Sequence, residues 1–202
     1  KESDDFDIYI NGELIEKYTK EYQFNNTGNN QVQLKLYTNI NMDNMFKDIQ
    51  EIINVQMISD GQCQIISMKS TFENCENLEK INITGFGATQ LKSMHKLFYK
   101  SGLKSFTFLN FDTKHLEDIS YMFSYSRISK FLFNSFNTEK VTNMSHMLEQ
   151  CSSLMSIEAS GANTGNVIDM SYLFKGIESL RNIDLEDFNT NKVKDMSHMF
   201  QD

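Results

Sequence analysis

Proline is absent from this 202-residue chain, and the chain has no long apolar stretch and only three cysteines. Without proline, the chain must form its turns with glycine, asparagine and aspartate. No run approaches the roughly 18 apolar residues of a membrane-spanning helix, so we expect no membrane insertion in this segment. Three cysteines without obvious partners argue against a disulfide framework.

Positive charge is also in deficit, since 19 Lys and Arg residues face 27 Asp and Glu residues for a formal net charge of -8. Such a charge repels phosphate, so nucleic acids and anionic membranes are not expected partners. The sequence contains neither a phosphate-binding loop nor a glycine-rich dinucleotide signature, and we expect no cofactor.

What the sequence does contain is an internal repeat. The string FNTEKVTNMSHML at residues 136–148 returns almost unchanged as FNTNKVKDMSHMF at residues 188–200. Self-similarity at a fixed period is the signature of a repeat architecture. Steps of 25 or 26 residues connect seven equivalent positions, which we call anchors: Met42, Met68, Met94, Ile119, Met144, Met170 and Met196.

Each repeat combines two kinds of apolar spacing. An Asn, Asp or Ser precedes each anchor and favours the start of a helix, because its side chain can accept a hydrogen bond from a free amide. Apolar residues three, four and often seven positions after the anchor are typical of one helical face. Alternating apolar residues further along predict a strand with one buried side.

A helix, a strand and a turn within 25 or 26 residues cannot bury their apolar sides alone, so neighbouring repeats must stack. The sequence therefore predicts an α/β fold, a leucine-rich-repeat solenoid with a parallel sheet on one face and short helices on the other. Residues 39–202 would form this solenoid, with seven repeat starts and an incomplete last repeat. Residues 1–38 are expected to form a small β-rich N-terminal cap, since Asn11-Gly12 favours a tight hairpin turn.

The strings DMSHMF, NMSHMLEQCSSL and FNTNKV resemble the repeats of the BspA-like family, a leucine-rich-repeat branch of surface proteins that includes Mycoplasma lipoprotein-type repeats. The resemblance covers residues 39–202. It implies a non-enzymatic role in binding, adhesion or structure, at the cell surface or outside the cell.

Cysteine and histidine do not form a predicted site. Cys75 and Cys151 occupy the same position three repeats apart, at least about 14 Å at the usual strand spacing, so we expect two buried free thiols. Cys63 falls in a turn between repeats and is expected to be exposed. Four histidines, interpreted as helix-surface residues, lack the spacing of a metal site, and no metal ion is expected: His95, His115, His146 and His198.

The outward side of the predicted sheet is the candidate binding face. It is mixed in character and becomes acidic toward the C-terminal repeats: Lys80, Asn82, Thr107, Lys130, Glu158, Asp184 and Glu186. Two interpretations stay open, a solvated sheet face and a docking surface for a polar or basic ligand, either protein or glycan. Glu158 and Asp184 lie on neighbouring predicted strands and could meet, but we predict no catalytic residue.

Three sequons are candidate glycosylation sites if the chain is secreted: Asn25, Asn82 and Asn143. Asn25 lies in a predicted turn and ranks first, whereas the side chain of Asn143 is expected to cap a helix.

The seventh predicted helix stops before its strand, so three of its apolar residues would have one uncovered side: Met196, Met199 and Phe200. This side could meet the N-terminal cap of another copy and give a head-to-tail fibre. A longer parent chain with more repeats explains the same feature equally well.

Three classes of function follow. We expect a non-enzymatic extracellular or cell-surface repeat protein that acts as a binding, adhesion or structural scaffold. The alternative is an intracellular scaffold for protein–protein interaction, which free thiols and the lack of an apolar leader favour. An enzyme built on a solenoid is the third class, and no motif in the sequence supports it.

Overall fold

The computed structural model describes residues 6–15, 30–59, 61 and 63–202, which form a solenoid of stacked coils. We number the coils 1 to 7 by their anchors, from Met42 in coil 1 to Met196 in coil 7. The described elements are β1 Phe6–Ile10, β2 Glu13–Leu14, β3 Asn30–Leu36, β4 Ile40–Asn41, β5 Ile52–Ile58, β6 Ile65–Ser67, β7 Lys80–Thr84, β8 Ser105–Leu109, β9 Lys130–Leu132, a 3-10 helix Phe133–Ser135, β10 Ser156–Glu158 and β11 Asn182–Asp184.

Parallel strand pairing joins the coils. A six-stranded sheet has the order β2-β1-β3-β5-β7-β8, a three-stranded sheet has the order β11-β10-β9, and β4 pairs with β6. From β3 to β8 and from β9 to β11, neighbouring strands are parallel, and equivalent residues such as Ile81 and Phe106 are paired. The predicted solenoid with a parallel sheet is therefore confirmed.

The N-terminal hairpin is continuous with this sheet. β1 pairs antiparallel with β2, and the two residues between them have positive φ, 53° at Asn11 and 88° at Gly12. This is the backbone of the tight hairpin turn that Asn-Gly predicts. β1 also pairs antiparallel with β3, which pairs parallel with β5, so β3 links the hairpin to the coils.

The predicted short helices are wrong: the described part of the chain contains no α-helix, and each anchor segment is a series of turns. The residues two and six positions after an anchor have positive φ, as at His146 (58°) and Gln150 (57°), which an α-helix does not contain. The Met144 N–H donates to Asp169 O of the next coil at 2.9 Å, whereas the Met147 N–H donates to Met144 O at 3.3 Å. Bonds to the next coil thus replace the i to i−4 bonds of a helix.

The residue before the anchor keeps its predicted acceptor role in this different structure. Asn143 Oδ1 accepts a hydrogen bond from the Ser145 N–H at 3.0 Å, and Asp169 Oδ1 accepts one from the Ser171 N–H at 2.9 Å. An Asx turn makes this bond to the amide two residues on, and so does a helix cap. The capping pattern therefore identifies the start of the segment and not its conformation.

A column of rings runs through the core at the position four residues after the anchors. The ring centroids of Phe46 and Phe72 are 5.2 Å apart, those of Phe72 and Phe98 are 5.7 Å apart, and those of Phe98 and Phe123 are 5.4 Å apart. Leu148 takes this position in coil 5 and is also buried. Because each ring packs on the next, the core is continuous along the coils.

The FNT part of the repeat holds adjacent coils together at the corner after the strand. Thr138 Oγ1 accepts a hydrogen bond from the Asn163 N–H of the next coil at 2.9 Å, and Thr113 Oγ1 accepts one from the Asn137 N–H at 2.7 Å. Asn137 Oδ1 in turn accepts from the Glu139 N–H at 3.0 Å. The Thr of the motif therefore links adjacent coils, whereas the Asn stabilises the turn within its own coil.

The parallel sheet is interrupted between coils 3 and 4. Within the described residues, no strand pairing joins β8 to β9. The coils remain connected before and after the gap, because the Arg127 N–H donates to Leu103 O at 3.1 Å and the Asn137 N–H donates to Thr113 Oγ1.

Aromatic rings occupy the inward strand positions on both sides of the interruption. Coils 3 and 4 place Phe106, Phe108, Phe131 and Phe133 where coils 2 and 5 place Ile or Ala. The Phe106 and Phe131 centroids are 6.3 Å apart. The core therefore stays continuous through aromatic contacts where the strands do not pair.

Candidate binding faces of the solenoid

Uncharged polar side chains cover much of the outward side of the six-stranded sheet. In the register of the parallel strands, Gln33 lies opposite Gln56, followed by Asn82 and Thr107. Amides both donate and accept hydrogen bonds in a defined plane, so such a row offers a ligand many neutral contacts. A second outward row runs beside it: Gln31, Asn54, Lys80 and Ser105.

A groove lies where these rows approach the N-terminal hairpin. Its cavity volume is about 360 Å³, and Tyr9 and Gly12 line it on the hairpin side. Lys80 supplies a positive charge to a wall that is otherwise neutral among the described lining residues. We call the five amide side chains of this groove the amide face: Gln31, Gln33, Asn54, Gln56 and Asn82.

The structure divides the predicted binding residues between two sheets. On the outward side of the six-stranded sheet lie Lys80, Asn82 and Thr107. On or just after the three-stranded sheet lie Lys130, Glu158, Asp184 and Glu186. The interruption between β8 and β9 separates these two groups, and no sequence pattern indicated that separation.

The two carboxylates that the sequence placed on neighbouring strands are indeed paired in register, Glu158 with Asp184. Glu158 Oε1 also lies 2.6 Å from Lys130 Nζ on its other side. Asp184 Oδ1 accepts a hydrogen bond from the Glu186 N–H at 3.0 Å. Glu158 is therefore held by a cation, and Asp184 by the backbone.

A larger cavity, about 460 Å³ in volume, lies at the corner where coils 3, 4 and 5 leave their strands. The half-buried ring of Phe111 lines it beside Asp112, Glu139 and Asn163. Burial alone would raise the pKa of Asp112, but hydrogen bonds from the backbone and side chain of Lys114 hold it below its usual value. This corner combines an aromatic ring with acceptors, which suits a polar ligand.

The three cysteines are buried free thiols in the structure. This confirms the prediction for Cys75 and Cys151, whose pKa values burial raises to about 12. The prediction of an exposed Cys63 is wrong, because its turn packs against the end of β3 and its Sγ donates to Leu36 O at 3.2 Å.

Rings also stack on the outside, along the turn side of coils 4 to 7. The residues two positions after the anchors, Tyr121, His146, Tyr172 and His198, have successive centroid distances of 4.2, 4.3 and 4.6 Å. His146 Nδ1 lies 2.7 Å from Glu149 Oε2. His146 and His198 are thus residues of turns and not of helices, and their spacing follows the stacking of the coils.

A basic and aromatic cluster continues this turn side into coil 3. Lys96 Nζ lies 5.2 Å from the ring centroid of Tyr99 and 5.7 Å from that of Tyr121. Lys100 Nζ lies 5.3 Å from the centroid of Tyr99 and 5.9 Å from that of Tyr125. These distances are typical of cation–π contacts, and we call the five residues the turn-face cluster.

Sequence reasoning missed this cluster, although a signal for it exists. Four of its members lie two or six positions after their anchors, where φ is positive: 56° at Lys96, 54° at Lys100, 57° at Tyr121 and 60° at Tyr125. The sequence pattern predicted helices at these positions. Large side chains that recur in turns, at positions that favour Gly or Asn, were therefore not identified as a group.

The three sequons have different surroundings. Asn25 lies outside the described residues. Asn82 lies half-buried on β7 within the amide face, and Asn143 is half-buried with its Oδ1 accepting from the backbone and hydroxyl of Ser145.

The residues predicted to form an uncovered end differ in exposure. Met196 is 45% exposed and Phe200 is 58% exposed, whereas Met199 is buried at 5% exposure. Phe200 stacks on Phe174 of coil 6 at 5.4 Å, so its outer ring face is the one left open.

In the part of the chain that the structure describes, no group of three or more His, Cys, Asp or Glu side chains is placed to hold a metal ion. No helix there has the length and apolar character to span a membrane.

Comparison with models of known protein families gives a match. A family model described as Mycoplasma protein of unknown function, DUF285, matches residues 16–131, 40–155 and 127–202. The chain belongs to this family. Overlapping matches are expected for DUF285 because stacked repeats align in more than one register. No curated protein and no solved structure gives a significant match.

Proposed function

We propose that this DUF285 member is a non-enzymatic binding scaffold at the cell surface or outside the cell, with its ligand on the amide face. The observation that carries the proposal is the groove of about 360 Å³ beside Tyr9, whose wall consists largely of amide side chains. Neutral donors and acceptors with one aromatic ring match the hydroxyl-rich surface of a glycan better than a charged or apolar ligand. The stacked coils hold these groups in fixed positions, which lowers the entropy cost of binding.

The surface location rests on resemblance. The repeat strings are similar to those of BspA-like surface proteins, and the match to a Mycoplasma repeat family is compatible with that relationship. We therefore include a leucine-rich-repeat ancestry in the proposal, although the coils consist of turns and strands.

Glycan binding is tested with an array of neutral and charged glycans probed with the full chain, followed by titration of each hit. The variant Gln33→Ala/Gln56→Ala should weaken binding at least about tenfold, since it removes two adjacent contacts at the centre of the face. Asn182→Ala, an exposed amide on β11 outside the groove, is the matched control and should bind normally. If both variants bind the glycan as tightly as the wild-type chain does, the ligand site lies elsewhere on the molecule.

Location is tested by labelling intact producing cells with a membrane-impermeant biotin reagent. Labelling before lysis is expected for a surface protein. Labelling only after lysis would favour the intracellular interaction scaffold, the alternative that the buried free thiols allow.

The sequence makes Asn25, Asn82 and Asn143 candidate glycosylation sites, but at Asn82 a glycan would conflict with the proposed function. A glycan on Asn82 would lie in the groove and block the amide face. We expect the mass of tryptic peptides from native material to show Asn82 unmodified. A glycan found there would refute this assignment of the binding face.

End-to-end assembly through Met196 and Phe200 is a second candidate function, in which their apolar side chains would meet another copy, whereas the buried Met199 would take no direct part. Apolar surface of this kind is commonly covered by a partner. Phe200→Ser should then dissociate any fibres seen by negative-stain imaging. Fibres that persist in this variant would exclude the end-to-end contact.

A further inference from the structure

We infer that the turn-face cluster is a docking site for a second copy of this chain, which contributes an acidic surface on coil 6. This contact differs from the amide face and from the end-to-end contact, because it joins the turn side of one copy to the sheet side of another. It does not depend on the proposed ligand.

Four side chains of the turn-face cluster lie at turn positions. Lys96, Lys100, Tyr121 and Tyr125 all occupy positive-φ turn positions. Bulky side chains are unfavourable there, and Gly or Asn would relieve the strain. The same positions also have positive φ in the other coils, as at Asn44 and Asn74, so the turn conformation belongs to the repeat, and coils 3 and 4 differ in carrying Lys or Tyr at all four positions.

The turn-face cluster is rich in tyrosine. Tyr99 packs edge-on against Tyr121 and Tyr125, with centroid distances of 6.1 and 6.0 Å. Tyr125 is 46% exposed. Tyrosine is enriched at the centres of protein interfaces because it buries a large area with few rotatable bonds. The cluster thus has the composition of a protein contact.

The two lysines give the turn-face cluster a positive charge. The carboxylates nearest on the turn side already have partners: Glu73 lies 3.1 Å from Lys47, and Glu149 contacts both His146 and Lys175. Among the described residues, neither lysine of the turn-face cluster makes an ion pair. In a chain of net charge -8, the cluster is therefore a local positive surface.

An acidic surface of the same chain complements the turn-face cluster. The chain itself carries exposed carboxylates on the sheet side of coil 6, at Asp184, Glu186 and Asp187, which we call the acidic edge. Asp187 Oδ2 accepts a hydrogen bond from the Gly161 N–H at 2.9 Å, and Asp184 accepts one from the Glu186 N–H. None of the three forms an ion pair within the described part of the chain, so the acidic edge is free to pair with cations of another copy.

Complementary charge favours this orientation. Since the turn-face cluster and the acidic edge lie on different sides of the coils, one copy can use both at once. Such heterologous contacts build open chains of copies when the rotation does not close.

The experiment is sedimentation equilibrium of the full chain over a wide concentration range, with charge reversal. Lys96→Glu/Lys100→Glu and Asp184→Lys/Glu186→Lys should each raise the self-dissociation constant at least about tenfold. An equimolar mixture of the two variants should associate again, because the reversed acidic edge of one faces the reversed cluster of the other. Lys192→Glu/Lys194→Glu changes the net charge by the same amount and sign as Lys96→Glu/Lys100→Glu, at a site outside the cluster, and is the control for that variant.

Circular dichroism and urea midpoints confirm that each variant is folded before it is compared. Monomeric wild-type chain at every concentration would overturn the inference. Failure of the mixed variants to associate would also overturn it, as would association that only Phe200→Ser abolishes. If the wild-type chain stays monomeric and heparin binds it through the lysines, the cluster serves an anionic polysaccharide and the inference is wrong.

Discussion

The column of phenylalanine rings makes a quantitative prediction about stability. Phe72 is fully buried and packs between Phe46 and Phe98 at 5.2 and 5.7 Å. Phe72→Ala leaves a cavity and removes two stacked contacts, so we expect the free energy of unfolding to fall by about 4 to 5 kcal/mol. This cost is large because the adjacent coils are hydrogen-bonded to each other and cannot collapse into the cavity.

The chain offers matched controls at the same position of other coils. Phe200→Ala removes the equivalent ring where it is 58% exposed and has one stacking partner, so we expect a loss below about 2 kcal/mol. Phe72→Leu introduces the side chain that coil 5 carries at Leu148, and should cost only about 1 to 1.5 kcal/mol.

Urea unfolding measures these differences. Far-UV circular dichroism and the fluorescence of the eight tyrosines provide two probes, because the chain has no tryptophan. Coincident curves are required before free energies are compared, since repeat arrays can unfold in parts. Equal losses for Phe72→Ala and Phe200→Ala would refute a continuous core in which each ring supports the next coil.

Three further predictions concern single side chains. Thr138→Val removes the acceptor for a backbone N–H of the next coil and should lower the free energy of unfolding by about 1 to 3 kcal/mol, with a smaller loss for Thr138→Ser; equal losses in urea would exclude this hydrogen bond. Burial raises the pKa of Cys151 to about 12, so iodoacetamide should modify it only in urea, and peptide mapping that finds modification in folded protein would contradict its burial. Burial alone would raise the pKa of Glu73, but hydrogen bonds from Ser70 and Lys47 hold it below its usual value. A carboxyl whose pKa is lowered by folding stabilises the folded chain above its unfolded-state pKa, and this stability is lost as pH falls through its folded-state pKa. Glu73→Gln should therefore reduce the fall of the urea midpoint at acid pH. If the midpoint of the variant falls with pH as steeply as that of the wild type, Glu73 is not the group responsible.

The sequence predicted features that depend on which residues face inward. Apolar side chains recur at the same positions of every repeat, and those positions are buried whether the segment is a helix or a series of turns. Met144, Met147 and Leu148 are accordingly buried as predicted. The hairpin at Asn11-Gly12 was also predictable, because that dipeptide favours positive φ at both residues.

The sequence did not distinguish turns from helices, because the deciding hydrogen bonds join residues far apart in the chain. The residues around Met144 are compatible with a helix as well as with a turn. The acceptor that decides between them, Asp169 O, belongs to the next coil. The turn-face cluster could not be predicted for the same reason, because Lys96 and Tyr121 belong to different coils and become neighbours only when the coils stack.

By itself, then, the sequence determined the period of the solenoid, the register of its coils and the side chains that line its core, since these follow from the size and polarity of residues at fixed intervals. Only the tertiary structure decided the turn conformation, the interruption between β8 and β9, and the burial of Cys63. These three features depend on contacts between coils, where backbone amides and the Cys63 thiol find acceptors that no single repeat contains.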